Sequence, residues 1–202
     1  MSQFFESIRV NDGIAENLNF HQARVNQTLH AFNASHNSIE LIKIVQQLSL
    51  PTLGLFKLRM SYDLHGNYQT ALNPYQYKQI NHFALVDIKG YRYDYKYENR
   101  DWINEALSQS GKDEIMMHDD GLIKDCSYTN IVFYDGVNWY TPESPLLLGT
   151  QRSKLIQEGV IITKAIYVND ISSFVKFKCI NAMLDWEDAV EYKIELIRKY
   201  FP

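Results

Sequence analysis

Residues 113–152 read DEIMMHDDGLIKDCSYTNIVFYDGVNWYTPESPLLLGTQR. Short apolar runs alternate here with turn signals. They predict strands over 114–118, 131–134 and 139–141, separated by turns at Asp119-Asp120-Gly121 and Asp135-Gly136. Pro142 and Pro145 then break the chain, and Gly149-Thr150 opens the helical pattern Gln151-Arg152-Ser153-Lys154-Leu155-Ile156. A Gly followed by a Thr N-cap leaves backbone N–H groups and the positive end of the helix dipole aimed at one spot. Such a spot can hold a phosphate. Asp125, in the turn-like KDCSYTN, is by itself a loop acid or an Asx-turn residue.

Downstream, the helix leads through Gly159 to strands predicted over 160–167 and 174–180 and a terminal helix over 191–200. Upstream lies GYRYDYKYENRDW, residues 90–102, whose alternating Tyr91, Tyr93, Tyr95 and Tyr97 suggest a strand end. That strand runs into a helix over 100–108. Lys96 in this segment, taken singly, is a solvated surface residue. Further upstream the pattern predicts a strand over 4–10, a turn at Asn11-Asp12-Gly13, and helices over 21–32 and 38–48. A hairpin of 54–63 and 67–71 turns at Leu64-His65-Gly66, and 83–88 continues its sheet. The expected fold class is α+β in two small domains, 1–92 and 93–202, the first with helices on a largely antiparallel sheet.

The chain has 202 residues, 46% hydrophobic and 13% aromatic, enough for a substantial core. A formal net charge of −4 with dispersed Lys and Arg provides no basic stripe, so nucleic acid is not an expected partner. No apolar run suits a bilayer and no basic region leads into a signal core; the expected location is the cytoplasm. Cys126 and Cys179 lack CxxC spacing and the six His show no close ligand pairing, so reduced, packed thiols are expected, and no metal.

A lysine, an acid and an arginine around a phosphate site suit pyridoxal chemistry. That chemistry needs an amine for a Schiff base and proton transfer, and an acid beside the pyridine nitrogen. Five segments, in order, resemble the class IV aminotransferases, the fold-type-IV pyridoxal-phosphate family of branched-chain and D-amino-acid aminotransferases and aminodeoxychorismate lyases. FFESIRVNDG with FHQARVNQT resembles the family's opening strand and turn followed by a helix that carries the phosphate-gripping arginine, which implies that role for Arg24. KYENR implies the Schiff base on Lys96, and DEIMMHDDGLIKDCSYTNIVF implies the pyridine contact on Asp125 with Asn130 as the structural Asn. YTP followed by LLLGTQR implies phosphate contacts around Gly149, Thr150 and Gln151, and FKCINAM places Asn181 on the phosphate side. The resemblance implies pyridoxal 5'-phosphate as cofactor, enclosed between the two domains of a D-amino-acid aminotransferase-like fold, in a homodimer acting on a small-molecule amino substrate.

Two features depart from the family pattern. Asp125 replaces the usual Glu and is one methylene shorter, so the ring or the loop must shift, while the charge logic survives. The chain is also short for the family, with its opening strand almost at Met1. The Ile180-Asn181-Ala182-Met183 segment is more like the lyases, which favours conversion of 4-amino-4-deoxychorismate to 4-aminobenzoate and pyruvate. The alternatives are an aminotransferase on branched-chain or D-amino acids and a non-catalytic binder of pyridoxal phosphate or a metabolite. Lys57 and Arg59 alternate with Phe56 and Leu58 and share a strand face, from which Arg59 could bind a substrate carboxylate. Ser7 is a second candidate for the pocket wall, whereas His21 reads as a packing or capping residue.

Overall fold

The computed structural model describes residues 3–199. The chain divides into two compact units. One runs through Tyr77 and takes back Tyr95–Asn99; the other comprises Lys78–Asp94 and the chain from Arg100 onward.

The first unit is built on β1 (Phe4–Asn11), β2 (Ile14–Ala15), β3 (Leu55–Tyr62) and β4 (Tyr68–Pro74), in the order β2-β1-β3-β4 and antiparallel throughout. Asp12 and Gly13, both at positive φ, close the β1–β2 hairpin, the conformation that a tight turn between twisted strands requires. Strand alternation sends Phe4, Ile8 and Val10 of β1 and Leu58, Met60 and Tyr62 of β3 into one core. Helix α1 (Leu18–Ala31) covers that face with Val25 and Leu29, and α2 (Leu41–Gln46) adds Leu41 and Ile44. Both helices differ from the sequence pattern, α1 starting three residues earlier and α2 being shorter than 38–48.

The second unit holds two sheets. One has the order β13-β5-β6-β7, from β5 (Phe83–Asp87), β6 (Glu114–Asp119), β7 (Leu122–Cys126) and β13 (Ile197–Lys199). Helix α3 (Asp101–Ser110) makes the crossover between β5 and β6, which are parallel. The other sheet, β10-β9-β8-β11-β12, is formed by β8 (Asn130–Tyr134), β9 (Trp139–Pro142), β10 (Ile162–Lys164), β11 (Lys176–Ile180) and β12 (Glu191–Lys193). Helix α4 (Thr150–Gln157) lies between β9 and β10 in sequence. Phe83, Met116, Phe133 and Phe177 meet in the core that both sheets share.

Four expectations are corrected. Strand 83–88 does not continue the first sheet: β5 pairs with β6 and β13, so the boundary falls after Tyr77 rather than near 93. The Tyr91–Tyr97 alternation is not a strand; only an isolated bridge joins Tyr97 to Phe4. In place of the terminal helix over 191–200 the chain forms β12, one 3-10 turn (Ile194–Leu196) and β13; Tyr200 lies outside the described residues. Asp125 is in strand β7 rather than in a loop. Among the described residues no helix is long and apolar enough to cross a membrane.

Candidate active site

The candidate residues fall in both units, those of the first on two faces of its sheet. In the first unit, alternation along β1 turns the carboxylate of Glu6 toward α1, among apolar side chains. His21 and Arg24, three apart on α1, meet it there. Arg24 donates from Nε to Glu6 Oε1 at 2.9 Å and from Nη2 to Oε2 at 2.5 Å, and His21 Nδ1 lies 2.6 Å from Oε2. Glu6 and His21 have fully buried side chains, whereas that of Arg24 keeps a tenth of its surface open. Burial alone would raise the Glu6 pKa, but the charge of Arg24 and the hydrogen bonds from His21 and Arg24 hold it at about 2. Burial pushes the His21 pKa down, with the positive charges of Arg24 and Lys96 adding to it against the pull of Glu6. The consistent arrangement is an ionised Glu6 that accepts from a neutral His21, with the proton on Nδ1. His21 is therefore neither a cap nor a simple packing residue.

Residues 96–98 run along the edge of β1. The Phe5 N–H donates to the Lys96 carbonyl at 3.0 Å and the Glu98 N–H to the Gln3 carbonyl at 2.9 Å. Lys96 is half-buried, and its ammonium lies 4.7 Å from the centroid of the Phe5 ring. Ser7 pairs in register with Arg59 on the sheet face that points away from α1, where Arg59 forms an ion pair with Glu98.

In the second unit, Asp125 is buried and both its oxygens are engaged. Asn130 Nδ2 donates to Oδ1 at 2.7 Å and the Leu147 N–H to Oδ2 at 2.9 Å. Burial lifts the Asp125 pKa to about 7 against those two bonds and the positive charge of Arg152. A cation beside this carboxyl would return it to the ionised form. Asn130 also donates to the Leu147 carbonyl at 2.9 Å, so it ties the end of β7 to the segment that leads into α4.

The N-cap of α4 is Gly149, not Thr150, which is the first helical residue. Glycine is required there by space: a Cβ on it would overlap Asn130 Oδ1 and lie 3.0 Å from Asn130 Cγ. Gly149→Ala is expected to cost about 2 kcal/mol by pushing Asn130 off Asp125, read as a lower urea midpoint with an unchanged slope. Thr150 and Gln151 are buried at this helix start, and Arg152 is anchored by Nη2 to the Pro142 carbonyl at 2.9 Å. Asn181 donates to the Tyr128 carbonyl at 3.4 Å and accepts from the Met183 N–H at 2.9 Å. Cys126 and Cys179 are buried free thiols with sulfurs 3.9 Å apart.

Sequence reasoning missed Glu6, Glu98 and the buried Glu114, which accepts from the Ser127 N–H at 3.0 Å just past Asp125. For Glu6 a signal existed, since it is an acid on the apolar face of an alternating strand.

The family model described as amino-transferase class IV matches residues 3–191. An uncharacterized protein of Haemophilus influenzae is 36% identical over 187 residues, which cover 91% of this chain and 98% of that one. A crystal structure from Haemophilus somnus, provisionally described as a 4-amino-4-deoxychorismate lyase, is 33% identical with a TM-score of 0.84 and covers 91% of this chain and 97% of its own. A Mesorhizobium loti structure, provisionally described as an amino-acid aminotransferase, shares the fold at 16% identity and a TM-score of 0.74, over 99% of this chain and 100% of its own. With a family match along most of its length and two relatives above 30% identity, the chain belongs to the class IV aminotransferase family, the fold-type-IV enzymes of pyridoxal phosphate.

Proposed function

We propose that the protein is a carbon–oxygen lyase that converts 4-amino-4-deoxychorismate to 4-aminobenzoate and pyruvate with pyridoxal 5'-phosphate as cofactor. The observation that carries the cofactor assignment is Asp125, a fully buried carboxyl with a pKa near 7, fixed by Asn130 and Leu147. A buried acid poised in this way fits a protonated pyridine nitrogen. The helix start at Gly149-Thr150-Gln151, whose cap supplies no side-chain acceptor, fits an anion. The description of the Haemophilus somnus relative favours the lyase over an aminotransferase.

In this reading Arg24, the backbone of Thr150 and Gln151, and Asn181 would hold the phosphate, Lys96 the aldehyde carbon, and Asp125 the ring nitrogen. When bound, the cofactor supplies a carbonyl for amine exchange and a ring that accepts an electron pair from the adjacent carbon. Lys96 takes the proton from the substrate carbon that bears nitrogen. Asp125 keeps negative charge near the proton on the ring nitrogen, and the Glu6 carboxylate keeps the Arg24 guanidinium in one orientation. Departure of enolpyruvate and aromatisation complete the reaction without an oxo acid. The same reading makes the working form a homodimer in the cytoplasm.

The test is incubation of purified protein and pyridoxal phosphate with freshly made 4-amino-4-deoxychorismate and no oxo acid, following both products. Equal appearance of 4-aminobenzoate and pyruvate is expected. Cofactor-loaded protein that forms neither, yet moves an amino group from a branched-chain or D-amino acid to an oxo acid, would replace the lyase by the aminotransferase.

A further inference from the structure

The core that the two sheets of the second unit share holds a pair of thiols that the proposed chemistry does not use. Cys126 ends β7 in one sheet and Cys179, 53 residues on, lies in β11 of the other. Their sulfurs are 3.9 Å apart, in the cluster that also holds Met116, Ile131 and Phe177. A disulfide bond is about 2.05 Å long, so closing one here brings the sulfurs about 2 Å nearer. The strand pairing decides which side gives way. Cys179 is the fourth of five consecutive residue pairs between β11 and β8, opposite Ile131. Cys126 is at the end of β7, paired with Met116 beside the irregular stretch of the β6–β7 register, where the ladder is weakest. The end of β7 is therefore the part that moves, while β8 and β11 stay paired. Asp125, the residue before Cys126, is held to that fixed sheet by Asn130, the first residue of β8, at 2.7 Å. In a close-packed interior a shift of this size does not leave so short a bond as it is.

We propose that Cys126 and Cys179 are an oxidation site, closed to a disulfide by hydrogen peroxide, and that closure releases Asp125 from Asn130. Access selects the oxidant. Both cysteines are almost wholly buried, which shuts out the cysteine of a folded partner and any bulky disulfide, whereas hydrogen peroxide is neutral and close to water in size. The hydrogen bond with Cys179 and burial push the Cys126 thiol up, so it stays protonated and the first step is slow, requiring sustained peroxide. In that step one sulfur attacks a peroxide oxygen: an S–O bond forms, the O–O bond breaks, and the departing hydroxide leaves as water with the thiol proton. The second sulfur, already in contact, then attacks the sulfenic sulfur; an S–S bond forms, the S–O bond breaks and a second water leaves. Two thiols have lost two electrons and two protons, and one peroxide has become two waters. Contact between the sulfurs lets this second step outrun further oxidation of the sulfenic acid. The proposal goes beyond the lyase reading and does not depend on it, since the Asp125–Asn130 bond is present in the ligand-free protein.

The test treats the full chain with hydrogen peroxide, removes the excess, blocks the remaining thiols in denaturant and maps the peptides without reductant. A cross-linked peptide pair joining Cys126 to Cys179 is expected, and dithiothreitol should return both thiols. Hydrogen exchange of the Asn130 side-chain amide, followed by NMR before and after oxidation, is expected to quicken at least about tenfold once its acceptor moves. Thiols that both survive peroxide, or that end as sulfinic or sulfonic acids without the cross-link, overturn the site. A cross-link that forms with Asn130 exchange unchanged overturns the release of Asp125. In Cys179→Ser the effect of peroxide on Asn130 should vanish, and its persistence there would assign it to another residue and also overturn the proposal. Should that variant fold poorly, the wild-type protein compared before oxidation, after it and after dithiothreitol carries the same decision.

Discussion

On the proposed assignment of Lys96, Lys96→Ala is expected to lower turnover by about 10⁴-fold, the scale of losing a group that exchanges the amine and moves the proton. The loss is expected on kcat, because the substitution leaves Arg24 and the residues of the α4 start, to which the proposal gives the phosphate, unchanged. Folding should be preserved: the backbone bond from the Phe5 N–H to the residue 96 carbonyl does not depend on the side chain. The comparison is single-turnover kinetics of wild type and variant at equal cofactor occupancy. A variant that retains full turnover would remove Lys96 from the chemistry and with it the pyridoxal reading of this segment.

Glu6→Ala destabilises the protein by about 3–5 kcal/mol, because it leaves the Arg24 guanidinium and the buried His21 without their common acceptor. Burial of the carboxylate is affordable only while both donors face it. The effect depends on pH with a definite sign. The folded pKa of Glu6 lies at about 2, below its ordinary 4.5, so its contribution is complete above about 4.5 and is lost as the pH falls toward 2. The stability gap between wild type and Glu6→Ala should therefore be widest near neutrality and narrow through that acid window. Urea unfolding at pH 7 and pH 3 reads it directly. A gap that stays constant between the two would show that the Glu6 cluster holds no ionised carboxylate.

The turns and the helix start around the candidate site were legible along the chain because each piece is local. The turns at Asp12-Gly13 and Asp120-Gly121 announce themselves by residue type, and their positive φ angles are those that such residues tolerate. The Gly149-Thr150 helix start was legible in the same way, although the cap is Gly149 and not Thr150. The C-terminal segment failed for the opposite reason. EYKIELIRK carries strong helix formers, yet Glu191–Lys193 pairs with β11 and Ile197–Lys199 with β5, and both pairings are long-range. Tertiary hydrogen bonding to waiting strand edges overrode local propensity.

The sequence by itself determined the turns, most strand positions and, through the resemblance of five segments, the family, while the roles of Arg24, Lys96, Asp125 and Asn130 are what that resemblance implies. Only the tertiary structure decided that Glu6 is ionised at the centre of a buried cluster, that Asp125 titrates near neutrality, and that Arg59 and Lys96 share the Phe5 ring. Burial and the distance between charges set those properties, and both depend on residues far apart in the chain.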